Sequence, residues 1–378
     1  MNLLMLSGDV DLARGRQGPF SALLERFAPF WSRIDILCPP VKGGRARQVL
    51  ANTYVHPSPW PLALHPLYIL RQGRCLLAER DYGLVVSHDY GLFYNGLGAW
   101  LLTAGSTLPV VSEIHHVEGH PFALTRRELF YRWWAKRYLR WARGWVAAFR
   151  AVNQQEIPVF LAEQGIPESK IHVLPSLYLD FATFRPLPDI PKSYDVLFVG
   201  RLAANKGLFT LLEALARVHQ TRPDLRACLL GEGPLATALQ EQAATLGLTE
   251  ALTFLGRLAD SSALARLYNS ARVLVCASTS EGGPRVTLEA MACGTPVIST
   301  PVGVMKDLLA ENGRAFLVFH WGAAELAQKI QLVLGDEALC QQLAHNGQIA
   351  ARRFRADELV PRYAQAYLDL AHQSAKSP

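Results

Sequence analysis

The sequence predicts an α/β protein made of two doubly wound domains, and three observations carry that expectation. An apolar run of strand length, a Gly-containing loop and an amphipathic helix recur along the chain, which is the signature of parallel βα units. The 378 residues, half of them hydrophobic and 19% charged, suffice for two domains with cores of their own. The charge also divides the chain. Residues 1–185 hold 20 Lys and Arg against 14 Asp and Glu, whereas residues 186–378 hold 18 of each. Seven of the eight tryptophans lie in the first half, so the two halves are expected to meet different partners. The expected division is a first domain at 1–183, a linker at 184–194 and a second domain at 195–355. A terminal helix at 356–378 is expected to pack back on the first domain.

Asn2–Leu6 reads as the opening strand and Ser7–Gly18 as a loop rich in Gly and Arg. Helical spacing of Phe20, Leu23, Leu24, Phe27, Phe30 and Trp31 follows, and Ile34–Leu37 resumes as strand. No G-x-G-x-x-G follows a strand and no G-x-x-x-x-G-K-[ST] occurs, which removes most support for a nicotinamide dehydrogenase or a P-loop NTPase. The six cysteines are scattered without a C-x-x-C pair, which argues against structural zinc and a disulfide framework and for a reducing cytoplasm. Met1–Leu6 lacks a basic flank and is followed by Asp9 and Asp11, so it is not expected to be a secretory leader. Tyr90–Ser112 has no charge, but its glycines, Asn95 and Pro109 make it a buried helix and strand rather than a membrane span.

Leu84–Ser87 reads as a strand that ends in His88-Asp89, and Pro109–Glu113 as another that leads into His115-His116. Ligands bind beyond the carboxyl ends of parallel strands, so both pairs are candidates for substrate contact. Adjacent histidines lack the i, i+4 spacing of a helical zinc pair, so a histidine that hydrogen-bonds substrate or polarises a reacting group is the expectation, with a histidine satisfied inside its loop as the open alternative. Arg126–Trp145 carries seven Lys or Arg and one acid. As a helix it would gather Phe130, Trp134, Tyr138, Trp141 and Trp145 on one face and Arg132, Lys136, Arg140 and Arg143 on the other, with Trp133 straying toward the cations. That suits a membrane interface or a helix whose aromatics fill a core; nucleic acid, the other partner such a stretch suits, is not expected. Trp145–Val173 then runs as strand, helix and strand.

In the second half, Asp195–Val199 is a buried strand followed by Arg201 and Lys206, two cations able to converge on a diphosphate. Taken alone they would also suit a solvated loop. Ala227–Leu230 leads to Glu232, and Leu252–Leu255 leads to Gly256. Arg272–Ser278 contains a strand, Thr279–Gly283 is a loop carrying Glu281, and Pro284 suits the first position of a helix that ends before Gly294. The helix N-terminus at Gly282–Arg285 favours an anion. Glu281 beside it would repel phosphate, so its carboxylate is better matched to sugar hydroxyls, as is Glu289 eight residues later. Two solvated glutamates on an ordinary βαβ unit remain the plainer alternative.

VGRLAANKG (199–207), LLGEGP (229–234), FLG (254–256) and EGGPRVTLEAMACGTPVIST (281–300) together resemble the retaining family-4 glycosyltransferases (glycosyl transferases group 1) of the GT-B fold. The first half is similar more loosely, through the SHD and EIHH strand ends and GIPESKIHVLPS (165–176). The resemblance implies two Rossmann-like domains facing a central cleft, the first for the acceptor and the second for a nucleotide diphospho-sugar. It implies that Arg201 and Lys206 hold the diphosphate, Glu289 the ribose and Glu281 the transferred sugar, with backbone at Phe254, Leu255 and Gly256 near the base. Glu232, Gly282, Gly283, Pro284 and Arg285 complete the donor site, and His115 matches the family's catalytic-loop histidine better than His116. Gly15 and Gly18 stand in for a double glycine usual in the family. Gly283-Pro284-Arg285 departs from the family's habit, which leaves the donor sugar open. No cofactor or metal is implied, and the acceptor is a glycan or a lipid-linked sugar. A cytoplasmic protein is implied, with Arg126–Trp145 as its means of reaching the inner face of the plasma membrane. A GT-B phosphorylase or epimerase, and a non-catalytic sugar-nucleotide or membrane-docking subunit, are the alternatives.

Overall fold

The computed structural model describes residues 1–16, 18–123, 125–258, 260–311 and 313–376. Two compact units divide the chain: Met1–Tyr178 with Ala356–Pro378, and Leu179–Arg355. Each is built on one sheet.

The first sheet holds β1 (Asn2–Leu6), β2 (Arg33–Cys38), β3 (Arg47–Leu50), β4 (Thr53–Pro57), β5 (Tyr82–Asp89), β6 (Val110–Ile114), β7 (Ala148–Ala151) and β8 (Ile171–Val173), in the order β3-β4-β2-β1-β5-β6-β7-β8. All neighbours are parallel except β3 with β4. The reversal of strand order beside β1 makes the loops after β1 and β5 the switch point, where such sheets take ligands. Ser7–Gly18 is not wholly loop. Asp9 accepts the Leu12 N–H at 2.6 Å and caps a short helix, Val10–Arg14, which Gly15 ends in the left-handed conformation at φ 78°. β5 ends in His88 and Asp89.

Helix Ala356–Lys376 returns to this unit. Val360, Tyr363, Ala364, Tyr367 and Ala371, spaced for one helical face, are buried in the same core as Leu3, Met5, Phe27, Ile34 and Val86. Tyr363 stacks on Phe27 with ring centroids 4.6 Å apart.

The second sheet holds β9 (Tyr194–Val199), β10 (Ala227–Leu230), β11 (Leu252–Leu255), β12 (Ala271–Cys276), β13 (Val297–Ser299) and β14 (Leu317–Val318), all parallel, in the order β11-β10-β9-β12-β13-β14. Its strands are nearly continuous apolar runs because helices cover both faces. Helix Leu208–Thr221 alone buries Leu208, Leu211, Leu212, Leu215 and Val218.

The expected linker at 184–194 proves to be fastened to this unit, which begins at Leu179. The Leu179 N–H donates to the Phe354 carbonyl at 2.7 Å. Asn269 accepts from the Leu187 N–H and donates to the Arg185 carbonyl, and Lys192 caps the carbonyls of Asn269 and Ala271. Phe184 adds an apolar anchor, buried with its ring 6.2 Å from that of Tyr268.

Candidate active site

In the second unit the switch point lies between β9 and β12, so residues 200–207 and 277–284 face one another at the carboxyl edge. Glycine sets the spacing. A Cβ on Gly207, itself at φ 63°, would stand 2.1 Å from the Ala277 carbonyl oxygen, so the two loops approach backbone to backbone. Gly303, at φ 50°, lets another loop close on Glu281 and Gly282 in the same way. The loops are then laced together. Thr279 N–H donates to the Asn205 carbonyl at 2.8 Å, and the Asn205 side chain donates to the Ser280 carbonyl at 3.2 Å.

This lacing brings Lys206 onto Glu281, whose Oε1 also accepts the Ser278 hydroxyl at 3.0 Å. Both members of the pair are partly exposed. Arg201 is exposed on the adjoining loop. Glu232 and Gly256 follow the neighbouring strands β10 and β11, and a Cβ on Gly256 would meet Glu232 at 3.7 Å. Phe254 and Leu255 end β11 and are half-buried.

Pro284 is not the first helical residue, as the sequence suggests, but the residue that precedes it, at ψ 96°; the helix is Arg285–Ala292. Glu289 on that helix is not a spare carboxylate. It is buried, its Oε1 accepts Arg285 Nε at 2.8 Å and its Oε2 accepts the Tyr268 hydroxyl at 2.9 Å. Burial raises the Glu289 carboxyl above its ordinary range, against the pull of Arg285 and Tyr268. The two acids of the opening motif therefore differ: Glu281 holds a cation at the loop, and Glu289 is tied into the unit's interior.

In the first unit, His115 follows β6 directly, with its Nε2 2.9 Å from Glu113 Oε2. His88 Nε2 stands 3.4 Å from the same oxygen, and the two imidazole centroids are 5.8 Å apart. Burial lowers His88 to about 4, so it is neutral at physiological pH. Gly15 ends the helix Val10–Arg14, and Gly18 precedes helix Pro19–Phe27, its N–H donating to the Ser21 hydroxyl at 2.8 Å. Among the described residues no cluster of three His, Cys, Asp or Glu is placed to hold a metal ion.

Helix Arg126–Ala142 divides its aromatics differently from the sequence expectation. Tyr138 is buried with Ala135, Leu139 and Ala142, while Phe130, Trp133 and Trp141 are 50, 50 and 40% exposed. The helix stops at Ala142, so Trp145 is not on it. Tyr138 turns inward because its hydroxyl reaches the buried Asp89 carboxylate at 3.1 Å. Among the described helices none is long and apolar enough to cross a membrane.

Sequence reasoning missed the partners: Glu113 as a hub, Arg150, Tyr268, Ser278, Tyr363 and Tyr367. One signal was present. Glu113 and Arg150 each sit in an otherwise apolar strand, and β6 and β7 place them side by side in register.

Two Rossmann-like sheets, parallel but for β3 and flanked by helices, define the GT-B class of glycosyltransferase structures. The fold matches the structure of sucrose-phosphate synthase from Thermosynechococcus elongatus, with a TM-score of 0.81 over 98% of each chain at 19% identity. Residues 181–350 match the family described as glycosyl transferases group 1, and residues 24–176 match glycosyltransferase family 4, so in both halves the chain belongs to the family-4, group-1 glycosyltransferases. Among curated relatives, a D-inositol 3-phosphate glycosyltransferase of Segniliparus rotundus is 30% identical over 214 residues, covering 52% of this chain and 47% of the relative. A Campylobacter jejuni protein named GalNAc-alpha-(1->4)-GalNAc-alpha-(1->3)-diNAcBac-PP-undecaprenol alpha-1,4-N-acetyl-D-galactosaminyltransferase is 31% identical over 166 residues, covering 43% and 45%. The match spans about half the length of each of these relatives.

Proposed function

We propose that this chain transfers a sugar from a nucleotide diphospho-sugar to a glycan or lipid-linked acceptor, with retention of anomeric configuration and without a metal. The observation that carries the reading is the Lys206–Glu281 pair at the switch point of the second sheet, beside Arg201 and the N-terminus of helix Arg285–Ala292. A departing diphosphate is stabilised by cations and by the positive end of a helix dipole without a divalent ion. In this reading Lys206 and Arg201 take the diphosphate, and Glu281, released in part from Lys206, accepts hydroxyls of the transferred sugar. Glu289 accepts ribose hydroxyls by sharing lone pairs with Arg285. Glu232, the Phe254–Gly256 backbone and the Gly282–Arg285 turn complete the donor contacts of this unit, and Gly15 and Gly18 are the glycines assigned to the donor by the resemblance. His115 is the imidazole at the reacting centre.

A screen of UDP- and GDP-sugars, followed by release of the nucleoside diphosphate, tests the reading. Turnover should survive EDTA, and the product's anomeric proton should report the donor's configuration. Failure of any sugar nucleotide to bind in calorimetry would favour the non-catalytic alternative. The lipid-linked acceptor is supported by the exposed Phe130, Trp133 and Trp141 among the arginines of helix Arg126–Ala142, an arrangement suited to an anionic membrane surface. Vesicles containing phosphatidylglycerol should sediment the protein and phosphatidylcholine vesicles should not; equal recovery from both would remove the membrane from the proposal.

A further inference from the structure

We propose that Glu113, itself held by the hydroxyls of Tyr363 and Tyr367, is a positioning residue for His115, fixing an Nε2–H imidazole whose Nδ1 is the nitrogen offered to a substrate hydroxyl. The inference rests on the reading of His115 as the imidazole at the reacting centre.

The argument starts from the two oxygens of one buried carboxylate. Oε1 is filled: Arg150 Nη1 donates at 2.9 Å, Tyr363 at 2.6 Å and Tyr367 at 2.5 Å. Arg150 is itself spent elsewhere, donating to the carbonyls of Leu174 and Pro175 and to the Tyr178 hydroxyl. Its guanidinium lies 3.9 Å from the Tyr363 ring centroid, so it cannot swing away from Glu113 without leaving that face. Oε2 is the oxygen left, and it faces His115 Nε2 at 2.9 Å and His88 Nε2 at 3.4 Å.

The protonation states follow from the surroundings. Burial would raise Glu113, but the Arg150 charge, with the two imidazoles, holds it well below the usual carboxylate range. Burial first, then the Glu113 charge, pushes Tyr363 and Tyr367 well above theirs, so both remain donors. An ionised carboxylate only accepts, so a neutral His115 in contact with Oε2 carries its proton on Nε2. Nδ1 then holds the lone pair. His115 is 41% exposed while Glu113 is 1% exposed, so one end of the unit is fixed in the core and the other reaches solvent.

A bare Glu113–Arg150 ion pair would satisfy the charge balance of β6 and β7. Two further phenols, spaced i, i+4 on a helix some 250 residues later in the chain, do something more. They add two donors to Oε1 beyond Arg150 and so restrain the rotation that would redirect Oε2. This makes the terminal helix part of the machinery that orients His115.

The test uses the full chain with 15N-labelled histidine and long-range 1H–15N correlation of the imidazoles, the His115 signals being assigned by their loss in His115→Asn. Wild type should show His115 as the Nε2–H tautomer. Glu113→Ala strands Arg150 and threatens the fold, so the informative variant is Tyr363→Phe with Tyr367→Phe. That pair should mix the tautomers of His115 and lower kcat roughly tenfold, with KM for the sugar nucleotide unchanged. The probe is UDP release from UDP-glucose or GDP release from GDP-mannose. An Nδ1–H tautomer in wild type, or a double variant that loses stability while its tautomer and kcat stay put, overturns the proposal. Wild-type turnover by His115→Asn overturns instead the functional reading beneath it, and the tautomer measurement still judges the Glu113 contact.

Discussion

The two units each place carboxylates at the carboxyl edge of a parallel sheet, and they treat them in opposite ways. Glu113 is fully buried and engaged on both oxygens by Arg150, Tyr363, Tyr367 and His115. Glu281 is partly open to water and holds Lys206 and Ser278. The first arrangement resists change, because removing any partner leaves a charge in the core. The second is exchangeable, because water or an incoming anion can replace either member of the pair. The contrast separates a device that orients a group from one that waits for a ligand.

The largest expected effect tests that contrast directly. Glu113→Ala should cost about 3–5 kcal/mol in urea unfolding, since Arg150 is left buried without its counter-charge, while Glu281→Ala should cost about 1 kcal/mol or less. Equal losses would erase the distinction. Activity should rank the other way for the exchangeable pair. Lys206→Ala and Arg201→Ala should each reduce turnover on the order of a hundredfold with unfolding midpoints close to wild type, and unchanged turnover in both would remove them from the donor site.

Acidification should separate the units by sign. His65 and His88, both in the first unit, are lowered by burial to about 4. A depressed histidine contributes stability that is complete above its unfolded pKa near 6.5 and is lost as pH falls toward 4. Asp89, raised by burial to about 6, pulls the same unit the other way, but His172, lowered by burial like His65 and His88, adds to their side. Glu289, raised by burial, makes the second unit gain stability as pH falls through its folded pKa. Hydrogen exchange followed peptide by peptide from pH 7 to 4.5 should therefore loosen β1, β5 and β6 before β9 and β12, and His88→Gln should flatten the first trend. A smaller effect than Glu113→Ala is Arg285→Ala. It removes the partly exposed partner of the buried Glu289 carboxylate, whose Tyr268 contact remains, so stability should fall by about 1–3 kcal/mol in urea unfolding, alongside any rise in donor KM.

Much of the second unit was legible in the sequence because its signals are local. A buried strand, a glycine that permits close approach and a helix start follow one another within thirty residues, as from Asp195 to Thr221 and from Ala271 to Ala292. The residues that complete the sites were not legible, because their partners meet through the fold. Nothing local announces that Tyr363 reaches Glu113, that Tyr268 reaches Glu289, or that Arg285 occupies the glutamate expected to stand ready for ribose. The antiparallel β3, with β4 and helix His65–Glu79, gave no clear motif. The aromatic helix was misjudged for a similar reason: spacing groups Tyr138 with Phe130 and Trp141, but of these three the buried Asp89 carboxylate, which accepts the Tyr138 hydroxyl, draws only Tyr138 inward.

The return of helix Ala356–Lys376 to the first core also sets an order of events at the ribosome. Residues 179–355 form one uninterrupted stretch and can reach their native packing as soon as they emerge. The earlier-made unit cannot, because Val360, Tyr363, Tyr367 and Ala371 are part of its interior and are synthesised only after residues 179–355. Its core stays open, with apolar surface exposed to chaperones and to other chains, for the whole time the second unit is being translated and folded.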